Sequence, residues 1–133
     1  MSAAPDAAAI IDAIIAKWSA AFNRLDADAL ASLYSNSALF YGSVPTLFRG
    51  RDGVASYFNG LTRWPSPTVA FTDLVTIAVG QDLVNMAGKA TFMTTPDAVP
   101  LTVKITWIIV RENNGWFIVS HHVSPIAPLI KRD

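Results

Sequence analysis

The sequence predicts an α+β fold, with N-terminal helices packed on one face of a strongly curved antiparallel sheet that encloses an internal pocket. Three observations lead there. Apolar residues recur at helical spacing over the first half of the chain, and alternation at period two takes over from Thr68. The links between the later segments are short and rich in turn residues. Helices first and strands afterwards favour helices gathered on one sheet face.

Ile11, Ile15, Trp18, Phe22 and Leu25 form one stripe, with Asp12, Lys17, Ser19 and Arg24 between them, so a first amphipathic helix is expected from Asp6 to Arg24. Asp26 has the chemistry of an N-cap, and Asp28 falls where the helix dipole favours a negative charge. Leu30, Leu33 and Tyr34 give this short second helix a buried face. A short strand at Ala38–Tyr41 and a loop at Gly42–Phe48 containing Pro45 follow. Helical period returns over Arg51–Leu61 through Val54, Tyr57, Phe58 and Leu61. Arg63-Trp64-Pro65-Ser66-Pro67 ends it, because a proline disfavours helix in the residue before it. Four long runs then read as strands: Thr68–Val79, Leu83–Thr94, Val99–Arg111 and Gly115–Ser124. Links of hairpin length make them an antiparallel meander.

Alternation assigns the faces of the last two strands. Leu101, Val103, Ile105, Trp107 and Ile109 are expected to face the helices, with Thr102, Lys104, Thr106, Ile108 and Val110 opposite. Matching apolarity across the hairpin puts Phe117, Val119, His121 and Val123 inward, and Trp116, Ile118, Ser120, His122 and Ser124 outward. Ile108, Trp116, Ile118 and His122 then form an outer stripe that a second copy of the chain would cover.

Composition agrees with one well-cored domain over residues 1–133. Apolar residues make up 52% and charged residues only 15%, where about a quarter is usual. So little charge points to covered surface, most simply a homodimer. Net charge is zero and the cations are scattered, which argues against nucleic acid. The absence of cysteine removes disulfides, thiolate metal sites and cysteine nucleophiles. Asp6 and Asp12 punctuate Ala7–Ile15 with no basic segment ahead of it, and no apolar run reaches 18 residues. A cytoplasmic protein with no signal peptide or membrane span is expected.

Two stretches resemble the nuclear transport factor 2-like superfamily: Ala21-Phe22-Asn23-Arg24-Leu25-Asp26-Ala27-Asp28-Ala29-Leu30-Ala31-Ser32-Leu33-Tyr34, and Phe48-Arg49-Gly50-Arg51-Asp52-Gly53-Val54-Ala55-Ser56-Tyr57-Phe58. The run from Gly115-Trp116-Phe117-Ile118-Val119 to His122-Val123-Ser124 is more distinctive. It is similar to the G-x-W-x-I-V-x-x-H-x-S pattern of SnoaL-like proteins and of the calcium/calmodulin-dependent kinase association domain. The resemblance implies a cone with a pocket between sheet and helices, usually homodimeric. It implies no one function, because the superfamily holds isomerases, dehydratases, cyclases, transport factors and binding proteins. The catalytic tyrosine and aspartate of its steroid isomerases fall at Trp18 and Gly42, and their hydrogen-bonding acid falls near Ile105 or Thr106, so that chemistry is not expected. The arginines of the association-domain pocket fall at the apolar Ile105 and Val123.

The expected site is therefore a pocket for a small apolar or aromatic ligand. Trp18, Phe22, Tyr57, Phe58 and Trp107 are its candidate aromatics, and Arg49, beside a helix entrance, is a candidate partner for a ligand carboxylate. His121 is the inward titratable group. It is either a core histidine satisfied by a backbone carbonyl or a tyrosine, or a general acid/base acting with Tyr34 or Tyr41. Adjacent histidines on a strand point apart, so His121 and His122 cannot share a metal ion, and no metal or other cofactor is expected. A binding protein, a cofactor-independent isomerase, dehydratase or cyclase, and a dimerisation module remain the readings, in that order.

Overall fold

A computed structural model of the chain describes residues 4–131. The elements run α1 (Ala7–Arg24), α2 (Ala27–Ala31), β1 (Tyr34–Tyr41), β2 (Leu47–Arg49), α3 (Gly50–Asn59), β3 (Thr68–Val79), β4 (Leu83–Met93), β5 (Leu101–Glu112) and β6 (Gly115–Pro125). The carboxylates of Asp6 and Asp26 cap α1 and α2 by accepting from Ala9 N and Ala29 N. Leu25 closes α1 in the left-handed region, with φ of 51°.

The six strands form one sheet in the order β2-β1-β6-β5-β4-β3. The four long strands are the expected antiparallel meander. The sheet as a whole is mixed, which corrects the wholly antiparallel expectation: β1 runs parallel to β6. Two readings hid this. Ser35-Asn36-Ser37 breaks the alternation of β1, where the ladder shifts register between Tyr34 and Leu39, so by sequence Tyr34 reads as part of the helix before it. Three residues around the expected loop, Leu47–Arg49, pair back onto Leu39–Tyr41 as an edge strand too short to show a period.

The inner face of the sheet carries the core. Register aligns Phe40, His121, Trp107 and Met86 in one row across β1, β6, β5 and β4, and all four are buried. α1 covers β3 and α3 covers β1. A bulge in β3 turns Leu74 over Gly88, where a Cβ would stand 2.6 Å from Leu74 Cδ2.

A second bulge decides the far half of β6. Ile108 pairs with Ser120 but Ile109 pairs with Ile118, so Val119 is the extra residue and the alternation inverts behind it. Ile118 is therefore a core residue with no exposed surface, not a member of the outer face. Trp116, two positions back on the same side, packs against the core edge with the Arg111 guanidinium 5.7 Å from its ring centroid. Ile108 and His122 keep their outward placement. Strict alternation puts Trp116 and Ile118 outward, because a bulge of one residue leaves no mark in an apolar run.

Candidate functional site

Between the helices and the inner sheet lies a cavity of about 150 Å³. Helices and the segment after them supply Trp18 and Phe22 from α1, Tyr57 and Phe58 from α3, and then Leu61 and Trp64. The sheet supplies Phe40, Phe92, Leu101, Val103, His121 and Val123. Register explains the grouping. Val103 opposes Ala90, Leu101 opposes Phe92, and Ile105 opposes Val123, so the inner rows beyond His121 are apolar. Among the described residues no Asp, Glu, Lys or Arg lines the cavity; Ser43, Tyr57, Thr94 and His121 bring hydroxyl and imidazole groups to it, and Trp18 and Trp64 carry indole N–H groups.

At one wall a buried chain of hydrogen bonds ends on His121. The Trp18 indole N–H donates to the Tyr34 hydroxyl at 3.0 Å. The Tyr34 hydroxyl lies 2.9 Å from His121 Nδ1, and the Trp107 indole N–H donates to the same nitrogen at 2.9 Å. An indole N–H can only donate, so Nδ1 is an acceptor and the Tyr34 O–H donates to it as well. The imidazole ring stacks on Phe40, with centroids 4.0 Å apart and planes 21° from parallel.

Burial sets the electrostatics. It pushes the His121 pKa down to about 3, with a smaller push from His122, and it drives the Tyr34 phenol well above its ordinary value against the lowering effect of the Trp18 hydrogen bond. The imidazole is therefore neutral and the phenol un-ionised across the physiological range. At the mouth, the Tyr57 hydroxyl accepts from Ser43 N at 2.9 Å and shares a hydrogen with Ser43 Oγ at 2.7 Å. Gly42 makes room for this ring: a Cβ there would stand 2.5 Å from Tyr57 Cζ.

The sequence candidates divide cleanly in space. Trp18, Phe22, Tyr57, Phe58 and His121 line the cavity. Trp107 and Tyr34 sit behind the wall, fully enclosed, and touch the lining residues His121 and Trp18 from behind. Tyr41 lies on the outer face, 40% exposed and against the His122 ring, because it is Phe40 that has the inward phase in β1. Arg49 is exposed at the sheet edge opposite the outward Leu39, away from the cavity. The expected pairing of His121 with Tyr41 and of a ligand with Arg49 is thus excluded by position. Sequence reading missed Phe40 and Trp64. The first required the phase of a strand broken by three polar residues; the second sits in a proline-rich stop, where an aromatic flanked by turn residues was the available signal.

The sequence profile of the SnoaL-like domain matches residues 11–128. The chain belongs to the SnoaL-like family. Solved structures agree with this SnoaL-like fold. A Xanthomonas campestris protein provisionally named a calcium/calmodulin dependent protein kinase II association domain superposes with a TM-score of 0.81 at 20% identity, over 97% of this chain and 95% of that one. An NTF2-like protein with a cystatin-like fold from Novosphingobium aromaticivorans gives 0.78 at 16% identity, over 91% and 82%. A protein from Streptomyces avermitilis, provisionally named a dehydratase of the NTF2-like family, gives 0.76 at 19% identity, over 91% and 97%. At these identities the likeness is one of fold. No curated protein sequence matches the chain. Among the described residues no helix is long and apolar enough to cross a membrane, and no three His, Cys, Asp or Glu side chains gather as a metal site.

Proposed function

We propose that this SnoaL-like protein binds a small, largely apolar molecule about the size of one aromatic ring, in the cavity between α1, α3 and the sheet. The observation that carries the reading is the cavity itself, about 150 Å³ with aromatic and aliphatic walls and no charged side chain among the described residues. A cavity of roughly this volume with apolar walls holds a benzene-sized guest. The aromatic walls offer stacked and edge-on contacts on several sides of a flat molecule.

The same geometry weighs against proton-abstraction chemistry. A general base needs a free lone pair, and the His121 Nδ1 lone pair is already claimed by Tyr34 and Trp107. Among the described residues no carboxylate lines the cavity to take over that role.

The reading includes a homodimer in the cytoplasm, with residues 1–133 acting as one unit. Outer-face register aligns Leu39, Ser120, Ile108, Asn85 and Ile77, and beside them Tyr41, His122, Thr106, Ala87 and Val75. Leu39, Ile77 and Val75 are more than half exposed, and a partner sheet would cover them.

Thermal-shift titration with toluene, indole and similar ring compounds tests the binding reading. A compound at ten times its Kd adds about 1.4 kcal/mol and raises Tm by about 5 °C. Val103→Phe fills the cavity and should remove the shift. A folded wild-type protein whose Tm no ring compound moves contradicts the proposal.

A further inference from the structure

We propose that the ligand carries a carbonyl oxygen on its ring, that His121 Nε2–H binds that oxygen, and that Trp107 is the positioning residue that holds this histidine as a donor. The inference rests on the pocket reading above and names the ligand class for it.

Two fixed donors set the proton positions. Trp18 and Trp107 are at the ends of the hydrogen-bond chain, and each can only give its indole hydrogen. The Tyr34 hydroxyl accepts from Trp18 and passes its own hydrogen to His121 Nδ1. Trp107 aims a second hydrogen at the same nitrogen. Nδ1 is thereby held unprotonated from two directions, and a neutral imidazole must carry its hydrogen on Nε2.

The placement of Nε2 at the cavity follows by exclusion. Among the described residues no hydrogen bond ends on it, and no fully enclosed side-chain nitrogen or oxygen lacks a partner. Nε2 therefore touches open space, although His121 as a whole is only 4% exposed, and the cavity is the space it borders. The stack on Phe40 fixes the ring plane, so the donor has one direction.

Ligand chemistry follows from the donor at the end of that hydrogen-bond chain; the hydroxyls of the lining can turn to donate or accept. A protonated ligand amine would set a donor against a donor. A carboxylate would be buried with no cation on the walls, which penalises the charge. A neutral carbonyl satisfies Nε2–H at no such cost, and a neutral imidazole N–H is a competent partner for a carbonyl. Ser43 and Tyr57, the polar pair at the mouth, already bond to each other. A small aryl or cyclic ketone or aldehyde is the class that fits.

The test uses acetophenone against ethylbenzene, which keeps the shape and loses the acceptor. Calorimetry on the wild type should show acetophenone binding at least about tenfold more tightly. His121→Phe should level the two while ethylbenzene still binds. The imidazole ¹⁵N spectrum of the wild type should show an unprotonated Nδ1 and a protonated Nε2. Trp107→Phe should mix the tautomers and shrink the acetophenone preference several-fold. Binding of both compounds with equal affinity overturns the carbonyl assignment and leaves the pocket reading standing; binding of neither counts against the pocket reading itself. A protonated Nδ1 in the wild type, or an unchanged preference in Trp107→Phe, overturns the role of Trp107. If either variant fails to fold, the ligand pair and the wild-type spectrum still decide.

Discussion

Acidification should unmask His121 as a buried neutral group. In the unfolded chain its imidazole takes up a proton near pH 6.5, whereas burial holds the folded value near 3. Between those limits the unfolded state binds the extra proton, so stability rises with pH up to about 6.5 and is flat above it as far as this residue is concerned. Each pH unit below 6.5 removes about 1.4 kcal/mol, giving a loss of about 2 kcal/mol at pH 5 and about 3 kcal/mol at pH 4. Other groups contribute to any pH profile, so the measurement is a difference. His121→Gln keeps an acceptor for Trp107 and Tyr34 and does not titrate. Urea unfolding of both proteins from pH 7 to pH 4 should show the advantage of the wild type over the variant shrinking by those amounts. A difference that stays constant to within 0.5 kcal/mol (roughly the resolution of such comparisons) would refute the reasoning. So would an imidazole resonance of His121 that titrates near pH 6.5 in the folded protein.

Further outcomes test other parts of the structure. Ile118→Ala should cost about 2–5 kcal/mol in chemical unfolding, because the bulge at Val119 buries that side chain completely; a loss below 1 kcal/mol would return it to the outer face. Gly42→Ala should force the Tyr57 ring from its place and break its bonds to Ser43, weakening binding of ring compounds more than it lowers Tm; unaltered affinity would show that the mouth does not shape the site. Ile77→Glu should convert a sedimenting dimer to a monomer without loss of helical and sheet signals in circular dichroism, and a wild-type monomer at high concentration would remove the dimer from the account.

Much of the architecture was legible because periodicity survives in long elements. The stripe from Ile11 to Phe22 and the alternation from Leu101 to Ile109 each repeat often enough to fix a face, and both agree with burial on the whole. Three features escaped for definite reasons. β2 has three residues, too few for a period. β1 hides its phase behind Ser35-Asn36-Ser37, which exchanged the roles of Phe40 and Tyr41. β6 carries large apolar residues on both sides, so the inversion at Val119 leaves no trace in the sequence and alternation puts Ile118 outward. At the site, the inward direction of His121 could be read from the strand. Its partners could not, since Trp18, Tyr34 and Trp107 converge from α1, β1 and β5. That convergence also decides the chemistry: alternation can say that a histidine points inward, but only the donors around it say which nitrogen keeps the proton.

A crystal structure of the protein soaked with acetophenone tests the central claim most directly. The account predicts ring density between Phe40, Phe58 and Phe92, with the ketone oxygen about 2.7–3.2 Å from His121 Nε2. Ligand density on the outer sheet face alone, or a ring in the cavity with its oxygen turned toward Ser43, would contradict it.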